Sequence, residues 1–112
     1  MSRDVVDAFG EAFNSRDVDR IMALMTDDVV FESTGPAPDG VRHEGQAAVR
    51  AVWEELFAAN PAAFFAEEAT FGAGDRWVFQ WRYTWDGGHV RGVDLLTVRD
   101  GKIAAKLSYV KG

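Results

Sequence analysis

Cysteine is absent from this chain, which excludes thiol catalysis, structural disulfides and cysteine-based metal sites. Proline is scarce, with 3 residues, so helices and strands can form over most of the length. No apolar run approaches the length of a membrane span. The start, Met1-Ser2-Arg3-Asp4, opens directly into an amphipathic pattern, unlike a signal peptide. Cytoplasmic residence is therefore the expectation. Positive charge is also short: 12 Lys and Arg stand against 18 Asp and Glu, a formal net charge of −6. The basic residues are scattered singly and make no stripe that would hold polyphosphate, so a nucleic-acid partner is not expected. The 2 histidines show no ligand spacing, which argues against a zinc site.

Aromatic residues are abundant, with 8 Phe, 4 Trp and 2 Tyr in 112 residues. Such side chains build cores and also line pockets for flat apolar ligands. The length suits one domain, 1–112, able to bury a core without staples.

Val5, Val6, Phe9, Ala12 and Phe13 recur at helical spacing and predict a first helix. Asp17 can cap a second helix with Val18, Ile21, Met22 and Met25 on its apolar face, ending at Thr26-Asp27-Asp28. Val29 to Ser33 reads as a strand, and Thr34 to Gly40 as a loop. Gly45-Gln46 opens a third helix marked by Val49, Val52, Trp53, Leu56 and Phe57, which Asn60-Pro61 stops. Strands are expected over 64–71, 76–85, 89–99 and 102–110, with turn signals at Asp86-Gly87-Gly88 and Asp100-Gly101. This is an α+β order ending in an antiparallel meander.

Four phrases stand out in this order: Asn14-Ser15-Arg16-Asp17-Val18-Asp19, Leu24-Met25-Thr26-Asp27-Asp28-Val29, Gly45-Gln46-Ala47-Ala48-Val49-Arg50 and Val98-Arg99-Asp100-Gly101-Lys102-Ile103. Together they resemble the nuclear-transport-factor-2-like superfamily, in its SnoaL-like and ketosteroid-isomerase-like branch, over essentially the whole chain. The resemblance implies three helices packed in a strongly curved, mostly antiparallel sheet, a cone around a pocket for a small hydrophobic molecule. It further implies a homodimer and no cofactor. Against ketosteroid isomerases, the general base position falls at Ser33 and the oxyanion-hole tyrosine at Phe9, while the protonated aspartate matches Asp94. Serine accepts no proton at neutral pH and phenylalanine offers no donor, so the standard isomerase mechanism is not expected. Against limonene epoxide hydrolase, Gly92 and Ser108 stand where an Arg and an Asp are needed. The SnoaL-type cyclases need an acid on a late strand, for which Asp94 is the candidate. The expected function is to bind, and to isomerise, cyclise or hydrate, a small hydrophobic metabolite. A non-catalytic dimeric ligand-binding module is the alternative.

Asp94 shares a strand face with Val90, Gly92, Leu96 and Val98, where a carboxylate is costly unless paired or neutral. As a neutral acid it would donate a hydrogen bond to a ligand oxygen, and it is the candidate catalytic residue. Trp77, Phe79, Trp81, Tyr83 and Trp85 alternate along one strand and form an aromatic ladder on one face. Phe79 and Trp81 from this ladder, Trp53 from the third helix, and Phe9, Ser33 and Ser108 are the candidate ligand-binding residues. Lys106 shares a face with Ser108, with Tyr109 pointing away unless a bulge intervenes. His43 is placed in a loop near the pocket mouth. Val93 and Leu95, opposite Leu96 and Val98, leave a second apolar face that a partner copy would cover.

Overall fold

Helix α1 (Ser2–Ser15) buries Val5, Val6, Phe9, Ala12 and Phe13, the stripe that its spacing predicts. It opens a computed structural model that describes residues 2–62 and 64–112; Met1 and Ala63 lie outside the described residues. Arg16 takes a left-handed backbone, φ 62°, to break the chain between helices. Asp17 then caps α2 (Val18–Ala23), its side chain accepting from the backbone N–H of Arg20 at 3.1 Å. Helix α3 (Gln46–Ala59) contributes Val49 and Trp53 to the core.

Six strands complete the molecule: β1 (Met25–Glu32), β2 (Arg42–Glu44), β3 (Phe64–Ala73), β4 (Arg76–Trp85), β5 (Gly88–Arg99) and β6 (Lys102–Val110). They form one curved sheet in the order β2-β1-β6-β5-β4-β3. Only the β1–β6 pairing is parallel. Asp100 and Gly101 both have positive φ, 54° and 74°, the geometry of a two-residue hairpin turn whose twist suits the flanking strands.

Two expectations are corrected. Met25 to Asp28 belongs to β1 rather than to the end of α2, because β6 reaches down to pair with it: Met25 stands beside Ile103, and the Ile103 N–H donates to Leu24 O at 2.8 Å. Tertiary pairing overrides the helical spacing, although Met25 is buried either way. His43 lies in short strand β2, opposite Phe31, rather than in a loop.

A β-bulge fixes the face that β6 presents. Arg99 pairs with Lys102 and Val98 with Ile103, but Thr97 pairs with Ala105, so Ala104 is an extra residue. Beyond it, Asp94 stands opposite Ser108 and Leu96 opposite Lys106. Without that extra residue Asp94 would face Leu107, and Lys106 and Ser108 would turn to the outer side.

One side chain ties the helical layer to the sheet. Gln46 Nε2, at the start of α3, lies 3.2, 3.1 and 3.0 Å from the carbonyl oxygens of Met22, Met25 and Thr26. These carbonyls line the corner where α2 turns into β1. Replacing Gln46 with Met keeps the length but leaves the carbonyls without their donor. A loss of about 1–3 kcal/mol is expected, read as a lower midpoint in urea with unchanged slope.

Candidate functional site

The site begins with the register of the three C-terminal strands. Phe79, Trp81 and Tyr83 on β4 stand opposite Asp94, Gly92 and Val90 on β5. Asp94 and Leu96 in turn face Ser108 and Lys106 on β6. Opposed residues share a face, so Trp81, Asp94, Lys106 and Ser108 all project into the concave side.

There they form one hydrogen-bonded cluster. Asp94 Oδ1 accepts from the Ser108 hydroxyl at 2.7 Å and from Trp81 Nε1 at 3.0 Å. Lys106 Nζ lies 3.2 Å from Asp94 Oδ2 and donates to Ser108 Oγ at 3.1 Å. Both charged side chains are about nine-tenths buried, 10% and 8% exposed. The Lys106 ammonium also lies 4.7 Å from the Phe31 ring centre, 5.3 Å from Trp53 and 5.6 Å from Phe13. The ring faces are negative and attract the cation. Asp94 is thus paired across the sheet: the neighbouring strand supplies the cation that its own strand face lacks.

Gly92 makes the arrangement possible. A Cβ there would fall 2.6 Å from the Trp81 ring and 2.3 Å from the Tyr109 carbonyl oxygen. The bare backbone lets the indole lie across β5 and reach Asp94.

A cavity of about 330 Å³ opens above the cluster. Lys106 and Ser108 lie in its wall with Phe31, Trp53, Trp81 and Tyr83, and Ser33 and Thr34 also border it. Trp53 Nε1 and the Tyr83 hydroxyl are buried without a hydrogen-bond partner. Burial pushes the Tyr83 phenol above its ordinary value, and the nearby Arg16 guanidinium opposes this. A much smaller chamber of about 20 Å³ lies toward α1, bordered by Phe9, Phe79, Asp94 and Lys106. A more polar depression of about 420 Å³, bordered by Glu32, Asp39 and Arg42, lies outside and shares Ser33 and Ser108 with the aromatic cavity. The aromatic cavity is the candidate site, because the buried Lys106 and the Ser108 hydroxyl meet apolar walls there.

Of the residues singled out from sequence, Ser33, Trp53, Trp81 and Ser108 border the cavity. Phe9, Phe79 and Asp94 border the small chamber instead. The three positions matched to ketosteroid isomerases, Phe9, Ser33 and Asp94, therefore do not converge on one space. Ser33 Oγ donates to Gly35 O at 2.9 Å and accepts from the Val41 N–H at 3.0 Å, shaping the loop. His43 stacks on Phe31, 5.9 Å between centroids and 15° between planes. Among the described residues, no group of three or more His, Asp or Glu is placed to hold a metal ion. Sequence reasoning placed Lys106 beside Ser108 but did not bring it to Asp94, and it missed Phe13 and Phe31 as walls. A lysine on an inward-facing strand position was the available signal.

The sequence profile of the SnoaL-like domain matches residues 6–106. The chain belongs to the SnoaL-like domain family. An NTF2-like protein of unknown function from Mesorhizobium loti is 40% identical, with a TM-score of 0.89, over 99% of this chain and 91% of that one. A candidate ketosteroid isomerase from Kribbella flavida superposes with a TM-score of 0.86 at 18% identity, covering 99% of this chain and 78% of that one. A candidate polyketide cyclase from Sinorhizobium meliloti gives 0.81 at 22% identity, covering 99% of each chain. The last two share the fold alone. No curated protein matches the chain.

The ion pair of this SnoaL-like domain has a measurable signature. Lys106→Met alone strands a buried carboxylate and should cost about 3–5 kcal/mol. Adding Asp94→Asn to it should recover part of that loss, since the amide still accepts from Trp81 and Ser108. Denaturant unfolding of the single and double variants gives the coupling, and a double variant no more stable than Lys106→Met would contradict it.

Proposed function

We propose that the aromatic cavity binds a small, mostly apolar molecule, with Lys106 and Ser108 as its polar floor and Asp94 behind them as the partner of both. The observation that carries this reading is a buried charged cluster set at the base of an open space with aromatic walls. A fold does not need such a cluster for its own stability, since apolar residues of similar size are often as stable. The family membership supports a pocket and leaves the chemistry to the site.

Binding is favoured over acid–base turnover. Among the described residues that border the cavity, none is Asp, Glu or His, the usual proton acceptors. Ser33 cannot replace the base of a ketosteroid isomerase. Isomerisation, cyclisation or hydration would need at least two functional groups converging on one substrate atom. The reading is thus a ligand-binding or accessory module without a cofactor. The cysteine-free composition fits a reducing compartment, and we place the protein in the cytoplasm. Among the described residues, no helix is long and apolar enough to cross a membrane.

Titration with a planar hydrocarbon such as ethylnaphthalene tests the cavity directly. Three tryptophans, Trp53, Trp81 and Trp85, border it and supply the signal. Saturable change in their fluorescence is expected, and linear, non-saturating behaviour up to the solubility limit would sink the reading.

We also propose a homodimer through the convex face. Phe71, Val78, Leu95 and Leu107 stand in one row across β3, β4, β5 and β6. Beside the row, Glu68 pairs with Arg91 at 2.9 Å and with Arg82 at 3.9 Å, which gives the apolar patch a polar border. A second copy of the same face would match both parts. Light scattering should give twice the monomer mass at micromolar concentration, and Leu95→Glu should return it to the monomer. A native chain that stays monomeric rejects the dimer.

A further inference from the structure

Strand β3 closes one end of the sheet: among the described residues it pairs with β4 and with no other strand. It is 10 residues long and rich in phenylalanine, with Phe64 and Phe71 both exposed. A bare edge of that length and character is a template for pairing with another chain. In an antiparallel ladder alternate residues turn both their N–H and C=O away from the neighbouring strand, and those outward groups need partners.

Helix α1 supplies them. Phe65 is an outward residue: its N–H donates to Asn14 Oδ1 at 3.2 Å, and Asn14 Nδ2 donates to its carbonyl oxygen at 2.7 Å. These are the two bonds that a residue on a further antiparallel strand would exchange with it. Farther along, Arg3 Nη1 donates to the outward carbonyl oxygen of Thr70 at 3.2 Å. The spacing agrees: from Arg3 to Asn14 the helix rises about 16 Å, and from Phe65 to Thr70 the strand advances about the same distance. Arg3 is steadied by Asp7 at 3.7 Å and lies 5.7 Å from the Trp77 ring centre. The helix thus lies along the edge, bonded to it at both ends. These bonds are at the exposed surface, where water competes for them, so α1 is a strap held by modest contacts.

The covered edge suits a second copy of itself. Glu68 is the extra residue of a β-bulge, and by alternation the outward residues are Phe65, Glu67, Thr70 and Gly72, a set symmetric about the bulge. An antiparallel copy would set Phe65 against the bare Gly72, an aromatic cover for a glycine, and Glu67 against Thr70. The last two already make a hydrogen bond within one chain, from the Thr70 hydroxyl to the Glu67 carboxylate.

We infer that Asn14 and Arg3 make α1 a stand-in for a further strand, and that releasing them turns β3 into a pairing surface for β3 of a second copy. In the native protein the Asn14 side-chain amide and the Phe65 backbone amide should exchange with solvent about tenfold more slowly than open amides, read by NMR. The variant Arg3→Ala/Asn14→Ala removes the strap's bonds at exposed positions where alanine favours the helix. It should keep its far-ultraviolet circular dichroism and gain mass over the native protein in light scattering as concentration rises. Adding Thr70→Pro, which removes an outward N–H and leaves the ladder to β4 intact, should restore the native mass. The native mass is the reference whether the convex face forms a dimer or not, so the result stands apart from that proposal. Asn14→Ala alone, the milder change, is judged by the same outcomes. Free-amide exchange at Asn14 in the native protein, or an unchanged mass in the variants, would overturn the inference. So would association that Thr70→Pro does not reduce, since that marks a general loss of stability as its cause.

Discussion

The ion pair between Asp94 and Lys106 is the constraint around which the concave face is organised. Two charges removed from water each cost several kcal/mol, and their attraction offsets this only with good geometry and further hydrogen bonds. The neighbours provide those. Ser108 bridges the two charged groups, Trp81 donates to the same carboxylate oxygen as Ser108, and Phe31, Trp53 and Phe13 turn their rings to the ammonium. These partners come from α1, β1, α3, β4 and β6, so the pair is correct only when the whole fold is. Buried polar groups that demand several simultaneous partners disfavour alternative packings, which is a specificity argument rather than a stability one.

The same pair limits the chemistry. The Asp94 carboxylate already holds an ammonium, a hydroxyl and an indole, so three of its roughly four acceptor sites are taken. The walls above it are aromatic, surfaces that interact by shape and dispersion with little polar selection of their own. The SnoaL-like scaffold therefore carries a shaped apolar space with one polar end.

Much of this was legible in the chain. Period-two alternation along β4 placed Trp77 to Trp85 on one face, and the helical spacing of Val5 to Phe13 gave the face of α1 that packs beneath the sheet. Ser33, Trp53, Trp81 and Ser108 were assigned to a pocket and border the cavity. The meeting of Asp94 with Lys106 was not legible, and the reason is the bulge at Ala104. Counting back from the Asp100-Gly101 turn in a regular ladder pairs Asp94 with Leu107, which hides Lys106 on the other face. A single unpaired residue, with no glycine or proline to signal it, decides the register. The early start of β1 was hidden for a similar reason: Met25 has the spacing of a helix residue, and only its distant partner Ile103 makes it a strand residue.

Gly92 and Trp81 are sterically interdependent. The indole lies where any side chain at position 92 would have to be, and its N–H is one of the bonds that hold Asp94 in place. The two positions are therefore one steric unit: neither side chain can be enlarged without the other giving way. A Cβ at 92 would displace the indole and press on the β6 backbone at Tyr109, leaving the carboxylate short of a donor and the lysine that it balances less firmly held.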